Sequence, residues 1–346
     1  MATATAALHR IRGSSLIDAM GLLLLALVIV WVVFKFFEDP TRFLNVSIIG
    51  ATNGAIYGLV ALGYTLVYGI LQLINFAHGD VFALSGLVAS TMILSVFSLN
   101  EDTGIAMVIV GLLGTLAVTV PLFAFLNGSI ERIAYKPLRN APRLAPLITA
   151  VGVSFIVQNV SLAIYGVDFE SVPNFIPRTN AFTIGGVAFQ WDNIAVFLIV
   201  IPVLLALTWF VRSTRQGKAM RAVAQDKEAS AMMGIDVNRT ISVAFFLAGS
   251  LAAVAGLVYL LQFNMRYDTG FELGLIAFTA AVLGGIGNLT GAVLGAMMIG
   301  MVQAWNEGLD GTPGGDWTRS IVFGILIAVL VFRPQGLLGE RTPEGA

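Results

Sequence analysis

The sequence predicts an all-α polytopic membrane protein of about ten transmembrane or partly spanning helices. Three observations predict it. Of 346 residues, 57% are hydrophobic and only 11% charged, where a soluble domain carries about 25% charged residues and needs polar surface to cover itself. Several uncharged runs exceed the roughly 20 residues that cross a bilayer core as helix. The 37 glycines are dispersed through these runs, as close helix packing in lipid requires, and do not gather into a flexible linker.

The same counts exclude other classes. A net charge of −1 gives no basic surface for nucleic acid. No cysteine is present to form a disulfide or a thiolate site. His9 and His78 are too few for a histidine metal cage. No Gly-x-x-x-x-Gly-Lys-Ser/Thr occurs, so the chain does not cradle nucleotide phosphates. Carboxylates paired on one face for acid–base work are also lacking, which argues against an enzyme.

In chain order the expected spans are 18–37, 46–71, 80–99, 105–126, 147–166, 193–211, 241–262, 273–287, 289–305 and 320–332. The first follows Arg10 and Arg12 but lacks a small-residue cleavage site, so it reads as a retained span with Lys35 snorkelling to the interface. Gly50, Gly54 and Gly58 put small residues on one face of the second span, and Gly291 and Gly295 do the same in the ninth. Residues 273–306 are uncharged and as one helix would measure about 51 Å, well beyond the ~30 Å hydrocarbon core. Gly284-Gly285-Ile286-Gly287-Asn288 therefore reads as the turn of a short helical hairpin. Residues 74–81 and 286–293 are faintly alike, as in transporters built from duplicated halves.

Basic residues set the orientation. With the N-terminus inside, Arg10, Arg12, Arg132, Lys136, Arg139, Arg143, Arg212, Arg215, Lys218, Arg221, Lys227, Arg239, Arg333 and Arg341 all fall on the cytoplasmic side. Arg42, Arg178 and Arg266 fall outside, while Lys35 and Arg319 sit at span edges. An even number of crossings with both termini cytoplasmic is the expectation.

The largest cytoplasmic segment, 212–240, reads as a helix running from Gly217 to a C-cap at Gly234. Ala222, Ala229, Met232 and Met233 give it an apolar edge, and Arg221, Asp226, Lys227 and Glu228 a charged one. Its chemistry suits a partner's groove or the lipid headgroups equally. At membrane depth, Asn53, Tyr57, Tyr64, Asn75, His78, Asp80, Gln158 and Asn159 are the candidates to line a pathway. For the polar ones the plainer role is interhelical hydrogen bonding, and for Asp80 a cap on the third span at its watery inner end.

Glu228-Ala229-Ser230-Ala231-Met232-Met233-Gly234 resembles the Glu-Ala-Ala-x-x-x-Gly signature of ABC-importer permeases, with Ser230 in place of the second alanine. The Ile-x-Leu-Pro that usually closes the signature is missing; 244–248 read Ala-Phe-Phe-Leu-Ala. Asn53 to Gly69, Ile74 to Asp80, Ser129 to Arg139, Ala277 to Asn288 and Arg333 to Gly339 resemble, in order and spacing, permeases of branched-chain amino-acid ABC importers of the LivH type. The resemblance implies an ABC-importer permease fold in residues 45–340 with a coupling segment at 212–240. Residues 1–44 would be an N-terminal extension carrying the first span, and 341–346 a tail. It further implies a multi-pass protein of the bacterial inner membrane acting with a second related permease subunit, two cytoplasmic ATPases that bind the ATP, and an extracytoplasmic substrate-binding protein. Arg221, Glu228, Ala229 and Gly234 would then contact the ATPase. A urea or short-amide permease fits the same resemblance. An ion-coupled secondary transporter is the alternative from another class, and would want buried carboxylates such as Asp80.

Overall fold

The computed structural model describes residues 21–339 apart from 24, 25, 140, 143, 177, 178 and 334. His9, Arg10, Arg12, Arg143, Arg178, Arg341, the tail and the start of the first expected span lie outside the described residues. Among the described residues nine helices are long and apolar enough to cross a membrane, including α1 (Gly21–Glu38), α2 (Pro40–Leu71), α4 (Ile105–Ile130), α5 (Leu144–Tyr165), α6 (Trp191–Ser213), α9 (Val237–Gln262) and α11 (Leu289–Gly308). The others are α3 (Ala77–Thr91), extended by a π turn at Met92–Val96, and α12 (Thr318–Phe332) with its preceding 3-10 turn. A tenth apolar helix, α10 (Thr269–Gly284), has 16 residues, about 24 Å of rise, which only partly spans the hydrocarbon. It pairs with α11 across the expected glycine turn.

Helix ends depart from hydropathy where local chemistry intervenes. α2 begins at Pro40, six residues early, because Asp39 caps it by accepting from the Arg42 amide at 2.9 Å and proline suits the first helical position. α3 begins at Ala77 with no side-chain cap, so the capping role expected of Asp80 is corrected: that carboxylate lies inside the first turn. Residues 180–190 form a small hairpin, β1 (Asn180–Ile184) and β2 (Val187–Gln190), turning on Gly185 and Gly186 with φ of 59° and 85°. Two consecutive positive-φ residues suit a two-residue hairpin loop. The Ala188 amide donates to Asn45 Oδ1 at 2.8 Å and ties the hairpin to α2.

Packing is layered from inside out. α2, α3, α9 and α10 hold the buried core, where Leu59, Ala61, Val81, Ala83, Phe245 and Ala277 are fully covered. α1, α4, α5, α6 and α12 surround it and turn large apolar side chains outward, including Leu113, Phe125, Phe155, Leu198 and Trp209. A surface of that composition is what lipid tails solvate. Gly50 and Gly54 of α2 face α11 so closely that a Cβ on Gly54 would stand 2.6 Å from the Met297 Cα. Gly295 and Gly291 of α11 lie in turn against Ala280 and Gly284 of α10.

The ends of the helices sort into two groups. Gly21 at the start of α1 packs on the Phe332 ring at the end of α12, so both described ends of the chain lie together. At this end the Leu337 and Leu338 amides donate to the Leu283 and Gly284 carbonyls at 2.8 and 3.0 Å. The turns at 72–76 and 285–288, from which the faintly similar stretches 74–81 and 286–293 set out, both lie here, with Gly69 close to Gly287. Arg132, Lys136, Arg139, Arg215 and Lys227 collect at the same end, hereafter the basic end.

Candidate functional sites at the two ends of the bundle

At the basic end the expected single helix is two. α7 (Arg215–Gln225) starts after Thr214, whose hydroxyl accepts from the Gly217 amide at 3.0 Å. α8 (Lys227–Met232) starts afresh after Asp226, an extended N-cap that accepts from the Ala229 amide at 2.9 Å. A short polar side chain that bonds the next turn's amide competes with helix continuation, which explains the break. Gly234 does close α8: at φ +81° its amide donates to the Ala231 carbonyl, and the Ile235 amide to that of Ser230, both at 3.0 Å. This is the paired-bond glycine stop.

The expected apolar edge divides at that break. Met220 and Val223 of α7 pack into the bundle, and Ala222 and Ala229 are half-buried. Met232 and Met233 stand 82% and 83% exposed, with Glu228 and Gly234 also exposed. Arg221 points back into its own chain, donating to the Val211 carbonyl at the end of α6.

Beneath α8 lies a network that sequence reasoning did not single out. α4 ends in a π turn, Glu131–Tyr135, and a 3-10 turn, Lys136–Leu138. Glu131 is 1% exposed and paired with Arg139, which also donates to Asn238 Oδ1 at the start of α9. Ser242 Oγ donates to the second Glu131 oxygen at 2.8 Å. Partial burial, and then the Arg139 guanidinium, lower the Lys227 amine below its ordinary pKa, which places α8 within electrostatic reach of this pair.

In the core of the basic half, the structure brings together Tyr64, Asn75, His78 and Asp80. The His78 ring is fully buried, lying against Gly63 and edge-on to Tyr64 at 4.9 Å. Asp80, 1% exposed, accepts from Ser154 of α5 through one oxygen, and its other oxygen has no partner among the described residues. Both residues lie in the first turn of α3, at the end the sequence suggested, but are buried from the water expected there. Asn75 accepts from the Tyr135 hydroxyl at 2.7 Å, and among the described residues its buried amide nitrogen has no partner.

At the opposite end a groove opens between α10, α11 and α12 as two adjoining cavities of about 300 and 320 Å³. Glu272, Ile276 and Arg319 line both, Gln158 and Asp268 the first, Gln303 and Glu307 the second. Arg319 donates to both Glu272 oxygens at 2.5 and 2.7 Å. Glu307 accepts from Thr318 at 2.9 Å and from Gln303 at 3.2 Å. The Tyr57 hydroxyl donates to Gln303 at 2.8 Å, so Tyr57 reaches the groove from α2. Asn53 is buried in α2 one turn before Tyr57. Asn159 is exposed among Phe155, Ile156 and Val160 and bonds its own helix at the Phe155 carbonyl, apart from the other candidates. Glu272 and Arg319 were missed as a site; each immediately precedes an expected span, but their pairing spans 47 positions.

A family model described as "Branched-chain amino acid transport system / permease component" matches residues 47–331. The chain is 36% identical over 307 residues to the high-affinity branched-chain amino acid transport system permease protein BraD of Pseudomonas aeruginosa, covering 88% of this chain and 98% of that protein. It is 35% identical over 315 residues to the corresponding permease protein LivH of Escherichia coli K12, covering 89% and 99%. The similarity to LivH of Salmonella typhimurium is likewise 35% over 315 residues, with the same coverage.

Proposed function

Because the chain belongs to the family of branched-chain amino-acid transport system permease components, we propose that it is the membrane subunit of an ATP-driven importer of branched-chain amino acids. ATP is bound by partner ATPases, and this chain supplies part of the path and the surface they grip. The observation that carries the coupling is the Met232–Met233 pair, held clear of the bundle at the glycine-closed tip of α8. Two fully wetted methionines at adjacent positions are costly unless a partner covers them. α8 therefore docks on a cytoplasmic ATPase, and the basic end is cytoplasmic in the inner membrane, as the distribution of lysine and arginine supports. A second, related permease subunit and a substrate-binding protein on the groove side complete the assembly.

The groove supports an amino acid over urea. Arg319 pairs with Glu272, and Glu307 lines the same cavity, so charges of both signs stand at the mouth, which suits a zwitterion and serves a neutral amide poorly. The Glu272 and Arg319 side chains are 45% and 68% exposed, and an ion pair so wetted adds little to stability. Uptake of radiolabelled leucine, isoleucine or valine by whole cells is expected to require this chain, while urea uptake persists on its deletion. Equal loss of urea uptake would reverse the substrate assignment.

Sidedness has its own test, clean because the native chain has no cysteine. Single cysteines at 136 and 228 should react with an impermeant maleimide only from the cytoplasmic face, and those at 102 and 316 only from outside. All four positions are exposed. Labelling of 228 from outside would invert the assigned orientation.

A further inference from the structure

We propose that the π turn closing α4 is the relay that carries movement of the ATPase-facing segment to the start of α3, with Glu131, Tyr135 and Arg139 as its positioning residues. The inference rests on the reading of α8 as the ATPase contact. It concerns residues that neither touch α8's exposed tip nor line the groove.

The chain of contacts is continuous. After Gly234 the backbone passes through Asp236, which caps α9 by accepting from the Arg239 amide at 3.0 Å. α8 and the first turn of α9 are thus joined by a four-residue stop, 233–236, and α9 cannot stay still if α8 is levered. The first turns of α9 hold the α4 terminus at two points: Asn238 accepts from Arg139, and Ser242 donates to Glu131. Arg139 closes back on Glu131, so residues 131–139 form one staple and not a loose loop. Glu131 is nearly buried, and parting such a pair leaves an uncompensated charge. The staple must therefore move with α9 as a unit.

The π turn decides where that unit points. With the Lys136 amide bonded to the Glu131 carbonyl, the turn holds one residue more than an α turn and carries Tyr135 inward, 2% exposed and 5.5 Å from the Phe245 ring of α9. Its hydroxyl donates to the Asn75 side chain, and the Asn75 backbone carbonyl accepts from the His78 amide at 3.1 Å in the first turn of α3. Among the described residues no other hydrogen bond holds the Asn75 side chain, and its amide nitrogen is among the buried polar atoms without a partner. So are one Asp80 oxygen and the Thr65 hydroxyl. In this relay Tyr135, through its bond to Asn75, positions the start of α3.

The test uses the complete transporter, with partner permease, ATPases and binding protein, reconstituted in liposomes and scored as leucine transported per ATP hydrolysed. Tyr135→Phe removes only the hydroxyl, and Ser242→Ala only the α9 bond to Glu131. Each is expected to leave assembly unchanged and to lower transport per ATP about fivefold, the worth of one buried hydrogen bond. In a relay, the double variant is no worse than either single. Independent structural roles would multiply to about 25-fold. Unchanged transport per ATP in Tyr135→Phe, or multiplicative losses in the double variant, would overturn the relay. Failure of the wild-type assembly to couple leucine transport to ATP would instead overturn the functional reading beneath it.

Discussion

Replacing Met232 and Met233 together by glutamate is expected to leave the permease in the membrane at its normal level and to abolish its association with the ATPase subunits. Both side chains are more than four-fifths exposed and make no part of the buried core, so the isolated fold loses nothing. Burying a methionine at an interface contributes roughly 1.5–3 kcal/mol. Two of them are worth on the order of 3–6 kcal/mol, about two to four orders of magnitude in affinity, before the cost of desolvating two carboxylates is added. Co-purification from mild detergent reads the loss directly. Gly234 grades the same surface. A Cβ there meets nothing within 4 Å, yet φ is +81°, so alanine costs about 1 kcal/mol of backbone strain. Gly234→Ala should weaken substrate-stimulated hydrolysis; Gly234→Val, branched at Cβ, should misdirect the tip and lose assembly. Glu228→Lys should act in the same direction, more mildly because the site is wet. Wild-type recovery of ATPases with the double-glutamate variant would show that α8 is not their contact.

Gly54→Val is expected to have the larger effect on the fold. The new Cβ would come within 2.6 Å of the Met297 Cα and 2.8 Å of the Ala296 carbonyl oxygen. Both obstacles are backbone, so no rotamer change relieves them and α11 must move. α11 has little freedom to do so, since Gly295 and Gly291 seat it just as closely on α10. Overpacking a tight core typically costs 1–3 kcal/mol, and here two interfaces share the displacement. The expected outcome is a marked fall in monodisperse protein after detergent extraction and a lower melting midpoint. Gly152→Ala is the control: it is helical, and nothing lies within 4 Å of its added Cβ. It should be neutral or slightly stabilising. A Gly54→Val protein as stable as the control would remove the close α2–α11 approach from the account.

Much of this was legible in the sequence. Hydropathy found the apolar helices, though not all of their ends, because a segment in lipid must satisfy its backbone internally and be apolar along its whole length. The spacing of Gly50 and Gly54 announced a close neighbour, and Gly234 a helix stop, since each follows from local stereochemistry. Less visible was the break at Asp226, where one capping side chain outweighs a run of helix formers. The hairpin at 180–190 also escaped notice, although Gly185-Gly186 between alternating residues was its signal.

The sequence by itself determined the membrane class, the order of the apolar helices, the sorting of basic charge to one end and the family likeness. These are local or additive properties, summed along the chain. Only the tertiary structure decided which helix meets which glycine face, and that His78 and Asp80 are buried. It alone joined Glu272 to Arg319, and Tyr135 to Asn75, 60 positions apart. Partnerships of that kind depend on how helices pack, and helix packing in lipid is chosen by shape and hydrogen bonding, which no window along a single strand of sequence contains.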